Sequence, residues 1–296
     1  MRVTFNDQQA DIASLQTAAQ QLARAQREVT TGRRVNAPSD DPLAARTIVH
    51  ERAEMSKIDA YSRSADTASA RLSAADTALS GLIDLYTQAQ SAATGARGSI
   101  ASATTRESIA ESIRGIRDGI LTGINAQFGG RPLFAGSADS GASYSGGPGA
   151  WTYQGAGAPV EVEVQPDRVV AVTFDGHEIL QGADADNILT SLDKLADAVA
   201  ANDDAGIQTG VTSLKNAMAR ATRAQGRLGA DERGVADATA QLTSLRIASD
   251  TRRSHAEDAD MAEAITKMSA ADTAYRATMA AISRAERLTL LDYLNK

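Results

Sequence analysis

Apolar residues recur with a heptad period at both ends of the chain. Near the amino end the spacing alternates between three and four residues, at Ile12, Leu15, Ala19, Leu22, Gln26 and Val29. Near the carboxyl end the same alternation joins Met261, Ile265, Met268, Asp272, Tyr275, Met279 and Ile282. This period predicts a long helix at each end, each with a coiled-coil seam. Because small or polar residues interrupt both seams, we expect each terminal helix to be marginal in water without a partner.

A connector follows the first terminal helix. Gly32 stands where a left-handed residue commonly ends a helix, and Asp41 precedes Pro42 in the order expected of an N-cap and a first helical residue. Beyond the connector, apolar residues recur every seven positions at Ile58, Ala65, Leu72, Leu79 and Tyr86. We therefore predict an ordered connector over residues 32–41 and a helix from about residue 43 into the 90s.

Three further stretches carry a helical period. The first has one apolar stripe, formed by Ile109, Ile113, Ile116, Ile120, Ile124 and Phe128. The second opens with Ile188, Leu192 and Leu195, and the third contains Val211, Leu214, Met218, Ala221, Leu228, Val235, Ala238, Leu242 and Leu245. Within the first stretch, Gly115, Gly119 and Gly123 predict the close approach of another backbone, since a helical glycine otherwise costs about 1 kcal/mol relative to alanine.

The middle of the chain changes character. Residues 129–185 hold 11 of the 23 glycines and four of the six prolines. Valines at 160, 162 and 164 alternate with polar residues, which predicts a strand, and residues 169–174 predict a second. Turns at Pro166-Asp167 and Asp175-Gly176 would then lead to a third strand over residues 177–180 and complete a small antiparallel meander.

These patterns predict a mainly α protein, a long antiparallel helical bundle or coiled coil with terminal heptad arms and a small β-rich inserted domain. We assign residues 1–36 and 255–296 to the arms, residues 37–128 and 186–254 to the helical bundle, and residues 129–185 to the insert.

Composition and charge exclude several functions. The 37 acidic and 30 basic side chains give a net charge of −7, which argues against a nucleic-acid partner. Without cysteine, the chain has no disulfides or thiolate chemistry. Its longest aliphatic run, residues 169–172, is far shorter than the roughly 20 residues that span a bilayer, so we expect no membrane insertion. Residues 1–7 lack the apolar stretch of a cleaved signal peptide, and any export is expected to use another route.

No sequence motif predicts an enzyme. The glycine-rich residues 146–151 lack the Gly-Lys-Ser/Thr ending of a P-loop, and Gly-x-Ser-x-Gly does not occur. His255, Asp258 and Asp260 could offer a metal two ligands on one helix face, but acids at a helix start are the simpler interpretation. Trp151 and Tyr153 could stack a sugar or base, although such a pair more often forms the core of a small domain. We predict no catalytic residue, metal or cofactor.

Both ends of the chain resemble the flagellin family, which includes flagellar hook-associated proteins. Residues 22–42 (LARAQREVTTGRRVNAPSDDP) resemble the amino-terminal signature of that family. Residues 227–230 (RLGA) and 257–262 (EDADMA) resemble the carboxy-terminal signature, and residues 288–294 (LTLLDYL) resemble its closing segment. The matches stand in the family's order and cover most of the helical part.

Within the family, three features are more similar to hook–filament junction subunits than to filament flagellins. They are the connector ending at Pro42, residues 128–137 (FGGRPLFAGS) and the closing residues 288–294. The resemblance implies a structural subunit of the bacterial flagellum that adapts the hook to the filament and is needed for motility. It also implies export through the flagellar type III apparatus without a cleaved signal, and an extracellular location. The implied partners are copies of this chain, the first hook-associated protein, flagellin, and an export chaperone with the export apparatus.

On this basis we hypothesise that the arms are disordered alone and fold against neighbouring subunits during assembly. The predicted assembly interface comprises Ile12, Leu15, Leu22, Val29, Ile265, Met268, Tyr275, Met279 and Ile282. The predicted connector motif comprises Gly32, Arg33, Arg34, Asp40, Asp41 and Pro42.

The sequence also fits three other interpretations. An ordinary intramolecular core is the plainer interpretation of the seams. A filament flagellin would have the same arms. The alanine-rich heptads could also belong to a coiled-coil signalling protein such as a chemoreceptor cytoplasmic region, although the β-rich insert argues against it.

Overall fold

A computed structural model describes the backbone of residues 2–97, 102–139 and 141–294, with side-chain burial from residue 9 to residue 284 outside the two gaps. The chain forms two compact units. One comprises Met1–Ile58 and Ser244–Lys296, and the other comprises Asp59–Thr243. Side chains of the closing segment at residues 288–294 lie outside the described part.

Helices dominate the described residues, as predicted. They are α1 (Arg2–Thr31), α2 (Pro42–Gly95), α3 (Ala103–Ile124), α4 (Gly176–Leu180), α5 (Ile188–Ala201), α6 (Asp204–Glu257) and α7 (Met261–Leu294). The strands are short: β1 (Gln127–Phe128), β2 (Arg131–Pro132), β3 (Tyr144–Ser145), β4 (Thr152–Tyr153), β5 (Glu161–Gln165) and β6 (Arg168–Ala171). The prediction of a mainly α chain with a small β-containing region is confirmed. None of the helices in the described stretches has the length and hydropathy of a membrane span.

The unit formed by the chain ends contains α1, α7, the first part of α2 and the last part of α6. Helices α1 and α7 lie side by side and antiparallel, with Glu28 near Lys267 and Gln21 in the same groove as Ala274. Val35 and Ile48 are buried in this unit. The unit boundaries fall inside α2 and α6, so residues 37–58 and 244–254 belong with the arms here. The assignment of arms, bundle and insert to separate layers stays a prediction.

The second unit has a continuous apolar core. The heptad residues Ala65, Leu72, Leu79 and Tyr86 of α2 are fully buried in it, together with Ile113 of α3. The predicted approach of another backbone at the three α3 glycines was wrong, because leucine side chains of α2 make the nearest contacts at two of them. A Cβ at Gly119 would lie 3.2 Å from Leu85 Cδ1, and one at Gly123 would lie 3.0 Å from Leu82 Cδ2. A Cβ at Gly115 would meet no atom within 4 Å among the described residues outside its own stretch of helix.

The insert is not the predicted meander. It contains three two-stranded antiparallel ladders, β1–β2, β3–β4 and β5–β6. The expectation of a third strand over residues 177–180 was wrong. Asp175 accepts a hydrogen bond from the backbone N–H of His177 at 2.9 Å, and this cap starts the short helix α4. Phe128 is likewise in β1 rather than on the α3 stripe, because α3 ends at Ile124.

Candidate functional site

The α1–α7 pair buries alanines rather than its heptad seams. Ala18 and Ala25 of α1 and Ala264 of α7 are buried, and each stands one residue before a seam position. One residue is a rotation of about 100° around a helix, so the contact between the two helices lies beside the seams instead of along them. The pair uses its small side chains, which bring the helix backbones close.

Large seam residues consequently remain partly open to solvent. Ile12, Ile265 and Met279 are 56%, 49% and 47% exposed. The other predicted interface residues, Leu15, Leu22, Val29, Met268, Tyr275 and Ile282, are half-buried. Each of the nine lies on this helix pair, and none of them is fully buried. Their role in assembly stays a prediction.

A groove of about 400 Å³ runs between the two helices. Its lining residues are Gln21, Arg24, Ala25, Glu28, Lys267, Ala270, Ala271 and Ala274. Lys267 Nζ lies 2.9 Å from Glu263 Oε1 and 3.9 Å from Glu28 Oε1. Glu263, and then Glu28, raise the pKa of Lys267, which stays charged at neutral pH. The groove is therefore apolar at its floor and charged at its rim.

The connector adopts the geometry that the sequence predicted. Gly32 has a φ of +67° and its N–H donates to the Glu28 carbonyl at 3.0 Å, which ends α1. Asp41 Oδ1 accepts from the N–H groups of Leu43 and Ala44 at 3.1 and 3.0 Å and caps α2 before Pro42. The Ala44 N–H, followed by the Arg34 guanidinium, holds the pKa of Asp41 below its usual value. The cap is thus a carboxylate at neutral pH.

Asp40 and Arg34 make further hydrogen bonds within the connector and to the end of α6. Asp40 Oδ2 accepts from the backbone N–H groups of Asn36 and Ala37, at 3.1 and 2.9 Å. Arg34 donates to Asp41 Oδ2 and to the Ala256 carbonyl, both at 3.0 Å. The connector is therefore an ordered loop that contacts the end of α6.

A buried carboxylate at that point was missed by the sequence reasoning. Glu257, the last residue of α6, has a side chain only 1% exposed. Its Oε1 lies 3.0 Å from Arg33 Nε and 2.6 Å from Arg52 Nη2, and its Oε2 lies 2.8 Å from Arg253 Nη1. The available signal was Glu257 standing four residues after Arg253, and this spacing indicates neither burial nor the two distant partners.

A second buried carboxylate lies in the same unit. Glu51 on α2 receives two hydrogen bonds from Arg252 on α6, at 2.8 and 3.0 Å. Arg252 also donates to Ser249 at 3.0 Å. The Arg252 guanidinium holds the pKa of Glu51 below its usual value. The start of α2 is therefore joined to the end of α6 by a bidentate ion pair.

The insert is attached to the bundle through Asp193 of α5. Asp193 Oδ2 accepts from the Gly149 N–H at 2.8 Å and from Trp151 Nε1 at 3.0 Å, and Oδ1 accepts from Arg117. Burial alone would raise the pKa of Asp193, but the hydrogen bonds from Arg117, Trp151 and Gly149 outweigh it and lower the pKa. The Arg117 guanidinium carbon also lies 5.6 Å from the centre of the Trp151 ring. Trp151 therefore anchors the insert.

The two acidic residues considered for a metal site make structural contacts instead. Asp260 accepts from the N–H groups of Ala262 and Glu263 and caps α7, while Asp258 Oδ2 accepts from Ser254 at 2.5 Å. In the stretches that the structure describes, no three His, Asp or Glu residues converge as a metal site.

A cavity of about 270 Å³ next to α4 is lined by Arg220, Arg223 and Arg227. Two of these arginines already form ion pairs, Arg220 with Asp184 at 2.5 Å and Arg227 with Glu178 at 2.9 Å. The cavity therefore has little free positive charge with which to bind an anion.

Comparison with known proteins identifies the family. The bacterial flagellin N-terminal helical region matches residues 4–139, and the bacterial flagellin C-terminal helical region matches residues 211–294. Flagellar hook-associated protein 3 of Escherichia coli strain K12 is 29% identical over 153 residues, and so is that of Salmonella typhimurium strain LT2. Each alignment takes in 51% of this chain and 48% of the relative, so the chain spans about half the length of the curated relatives it matches.

Solved structures share the fold. A flagellar hook-associated protein from Vibrio parahaemolyticus superposes with a TM-score of 0.70 at 21% identity, over 74% of this chain and 100% of that one. The flagellar junction protein from Legionella pneumophila gives a TM-score of 0.60 at 11% identity, over 72% of this chain and 100% of that one. Because the two flagellin regions together match most of the sequence in the expected order, the chain belongs to the flagellin family.

Proposed function

We propose that this chain is a structural subunit of the bacterial flagellum that joins the hook to the flagellin filament. The observation that carries the proposal is the offset between the contact of α1 with α7 and the two heptad seams. The pair is closed by Ala18, Ala25 and Ala264, while Ile12 and Ile265 stay about half exposed. Exposed apolar stripes on a paired helix favour contact with a further helix, and in an assembly neighbouring subunits supply it.

The names of the relatives also support the junction role. The two curated relatives are flagellar hook-associated protein 3, and one structural neighbour is a flagellar junction protein. In this role the chain performs no chemistry and acts outside the cell, after export through the flagellar apparatus with its chaperone. Its binding partners are other copies of itself, the first hook-associated protein on one side and flagellin on the other.

The flagellin matches at both ends contradict the coiled-coil signalling alternative. The filament flagellin alternative differs from the junction role in copy number and position. A junction subunit forms a short collar at the end of the hook, whereas a flagellin forms the whole filament.

Deletion of the gene tests the proposal. The mutant is expected to make hooks without filaments and to release flagellin into the medium, as seen by electron microscopy and by immunoblotting. A plasmid copy of the gene is the control and should restore filaments. Immunogold labelling of a tagged copy should mark one band at the distal end of the hook. Labelling along the whole filament, or a mutant with normal filaments, would contradict the junction role.

A further inference from the structure

Arg71 is a half-buried arginine of α2 that contacts no carboxylate of the described residues. Its Nη2 donates a hydrogen bond to the carbonyl of Pro132 in β2, at 3.0 Å. Its Nε is buried without a hydrogen-bond partner, and its Nη1 has no partner in the described stretches either. The charge of this guanidinium is therefore not balanced within the part of the chain that the structure describes.

Other arginines that are buried or half-buried have acidic partners. A carboxylate oxygen lies 2.5–2.9 Å from the guanidinium of Arg114, Arg117, Arg220 and Arg253. Moving a guanidinium out of water is costly unless a counter-charge and hydrogen bonds replace the water, so this pairing is the usual arrangement. Arg71 differs from these four arginines because no acid of the described residues compensates its charge.

A second arginine lies beside Arg71. Pro132, which accepts the hydrogen bond from Arg71, directly follows Arg131 in β2. Burial, followed by the charge of Arg131, lowers the pKa of Arg71, so the two guanidinium groups are close enough to repel each other. Both stay charged at neutral pH, as arginines do in proteins.

Arg131 is available to a further anion. Its Nη2 lies 3.3 Å from Asp139 Oδ1, but both of these side chains are largely exposed. An exposed ion pair contributes little to stability, so the contact with Asp139 does not hold the Arg131 side chain in one position. Arg131 can therefore turn toward an anion that approaches Arg71.

We propose that Arg71 and Arg131 together form a binding site for an oxyanion, a carboxylate or a phosphate group. A guanidinium presents planar N–H donors that match the oxygens of such a group, and the negative charge offsets the repulsion between the two arginines. Because Arg71 belongs to α2 and Arg131 to β2, the bound group joins the helix to the first ladder of the insert. A free ion or a carboxylate side chain of a second copy of this chain can supply it.

Nuclear magnetic resonance of the full-length chain with isotope-labelled arginine tests this inference. The Nε–H of Arg71 is buried, so it exchanges slowly with water and gives a sharp signal, which Arg71→Lys identifies by its loss. Sodium phosphate should shift this signal along a saturating curve, whereas sodium chloride at the same ionic strength should not. Arg131→Gln should weaken the binding of phosphate by about fivefold, the effect of losing one exposed ion pair.

Arg63→Gln is the matched control, because Arg63 is an exposed arginine of the same helix, and it should leave the affinity for phosphate unchanged. Dilution of the protein in buffer without phosphate distinguishes the two sources of the oxyanion. A shift of the Arg71 signal on dilution, reduced in Arg131→Gln, would indicate a carboxylate of a second copy. A shift with phosphate and none on dilution would indicate a free ion.

Three results would overturn the inference. They are an Arg71 signal that responds neither to phosphate nor to dilution, one that responds equally to chloride, and a response that Arg131→Gln leaves unchanged or that Arg63→Gln reduces as much. The experiment is carried out on the isolated chain, so its outcome does not depend on whether the protein joins hook and filament.

Discussion

Asp41 accepts hydrogen bonds from the first backbone N–H groups of α2 and from Arg34 in the connector. One side chain therefore both starts a helix and fixes the loop before it. Glu51 and Glu257 act in a similar way on arginines, since each is buried while its partners reach solvent. At the residue scale, carboxylates that each accept hydrogen bonds from backbone N–H groups or arginines hold together the unit formed by the chain ends.

The first prediction concerns the cap of α2. Asp41→Ala removes the acceptor of two helix N–H groups and should lower the free energy of unfolding by about 1 kcal/mol, as loss of an N-cap commonly does. Urea denaturation followed by circular dichroism measures it. Ser39→Ala, at an exposed position of the same connector, is the control and should have little effect. Equal stability of the two variants would contradict the role of Asp41.

The second prediction concerns acid. The pKa of Glu51 is lower in the folded chain than its usual value because of Arg252, so its ion pair stabilises the fold above about pH 4 and is lost as the pH falls through the folded pKa. Urea midpoints measured from pH 6 to pH 3 should fall less steeply for Glu51→Gln than for the unmodified chain. Glu107→Gln, on an exposed position of α3, should keep the original slope. The same slope for all three proteins would contradict this assignment.

At the scale of elements, most helices could be predicted from the periodicity of their apolar residues and from the capping residues at their ends. The seven-residue repeat from Ile58 to Tyr86 and the caps Gly32 and Asp41 predicted α2 and the connector, because these signals are local. Residues 177–180 were predicted to form a strand but lie in the helix α4. The reason is that the Asp175 side chain accepts a hydrogen bond from the His177 N–H and so caps the start of this helix.

The contact face of α1 with α7 could not be predicted from the heptads. Whether an alanine stripe or a seam one residue away is buried depends on what else covers the pair, and a single sequence does not contain that information. The Glu257 cluster was missed for a similar reason, because Arg33 and Arg52 are more than 200 residues away in sequence.

The third prediction concerns the attachment of the insert. Asp193→Asn leaves Arg117 without its buried counter-charge and should lower the free energy of unfolding by about 3 kcal/mol. It should also shift the fluorescence of Trp151, the single tryptophan, to longer wavelength. Asp118→Asn changes the other, largely exposed partner of Arg117 and should cost less than about 1 kcal/mol. Equal losses for the two variants would contradict the anchoring role of Asp193.

At the scale of the whole molecule, the two compact units have different kinds of stability. Residues 59–243 enclose a continuous core of fully buried leucines, isoleucines and aromatic residues. In the unit of the chain ends, the described side chains from residue 9 to 58 and from 244 to 284 include few large buried ones, and ion pairs and alanines make most of the contacts there. We therefore expect residues 59–243 to stay folded without α1.

The fourth prediction follows from this difference. Purified protein lacking residues 1–30 should keep the Trp151 emission and most of the helical circular dichroism of the remaining chain, and should stay monomeric. It should not add to isolated hooks, whereas the full-length chain should. Loss of nearly all helix in the truncated protein would contradict the independence of residues 59–243.

The most direct test of the account is the accessibility of the seams before and after assembly. The chain has no cysteine, so Ile12→Cys, Ile265→Cys and Met279→Cys each introduce a single thiol at a half-exposed seam position. Thr17→Cys, on the opposite polar face of α1, is the matched control. Maleimide should label all four thiols in the monomer. In isolated hooks and filaments the three seam thiols should react about tenfold more slowly, while the reaction rate of the control thiol should stay the same. Seam thiols that react as fast in the assembled flagellum as in the monomer would contradict the claim that neighbouring subunits cover them.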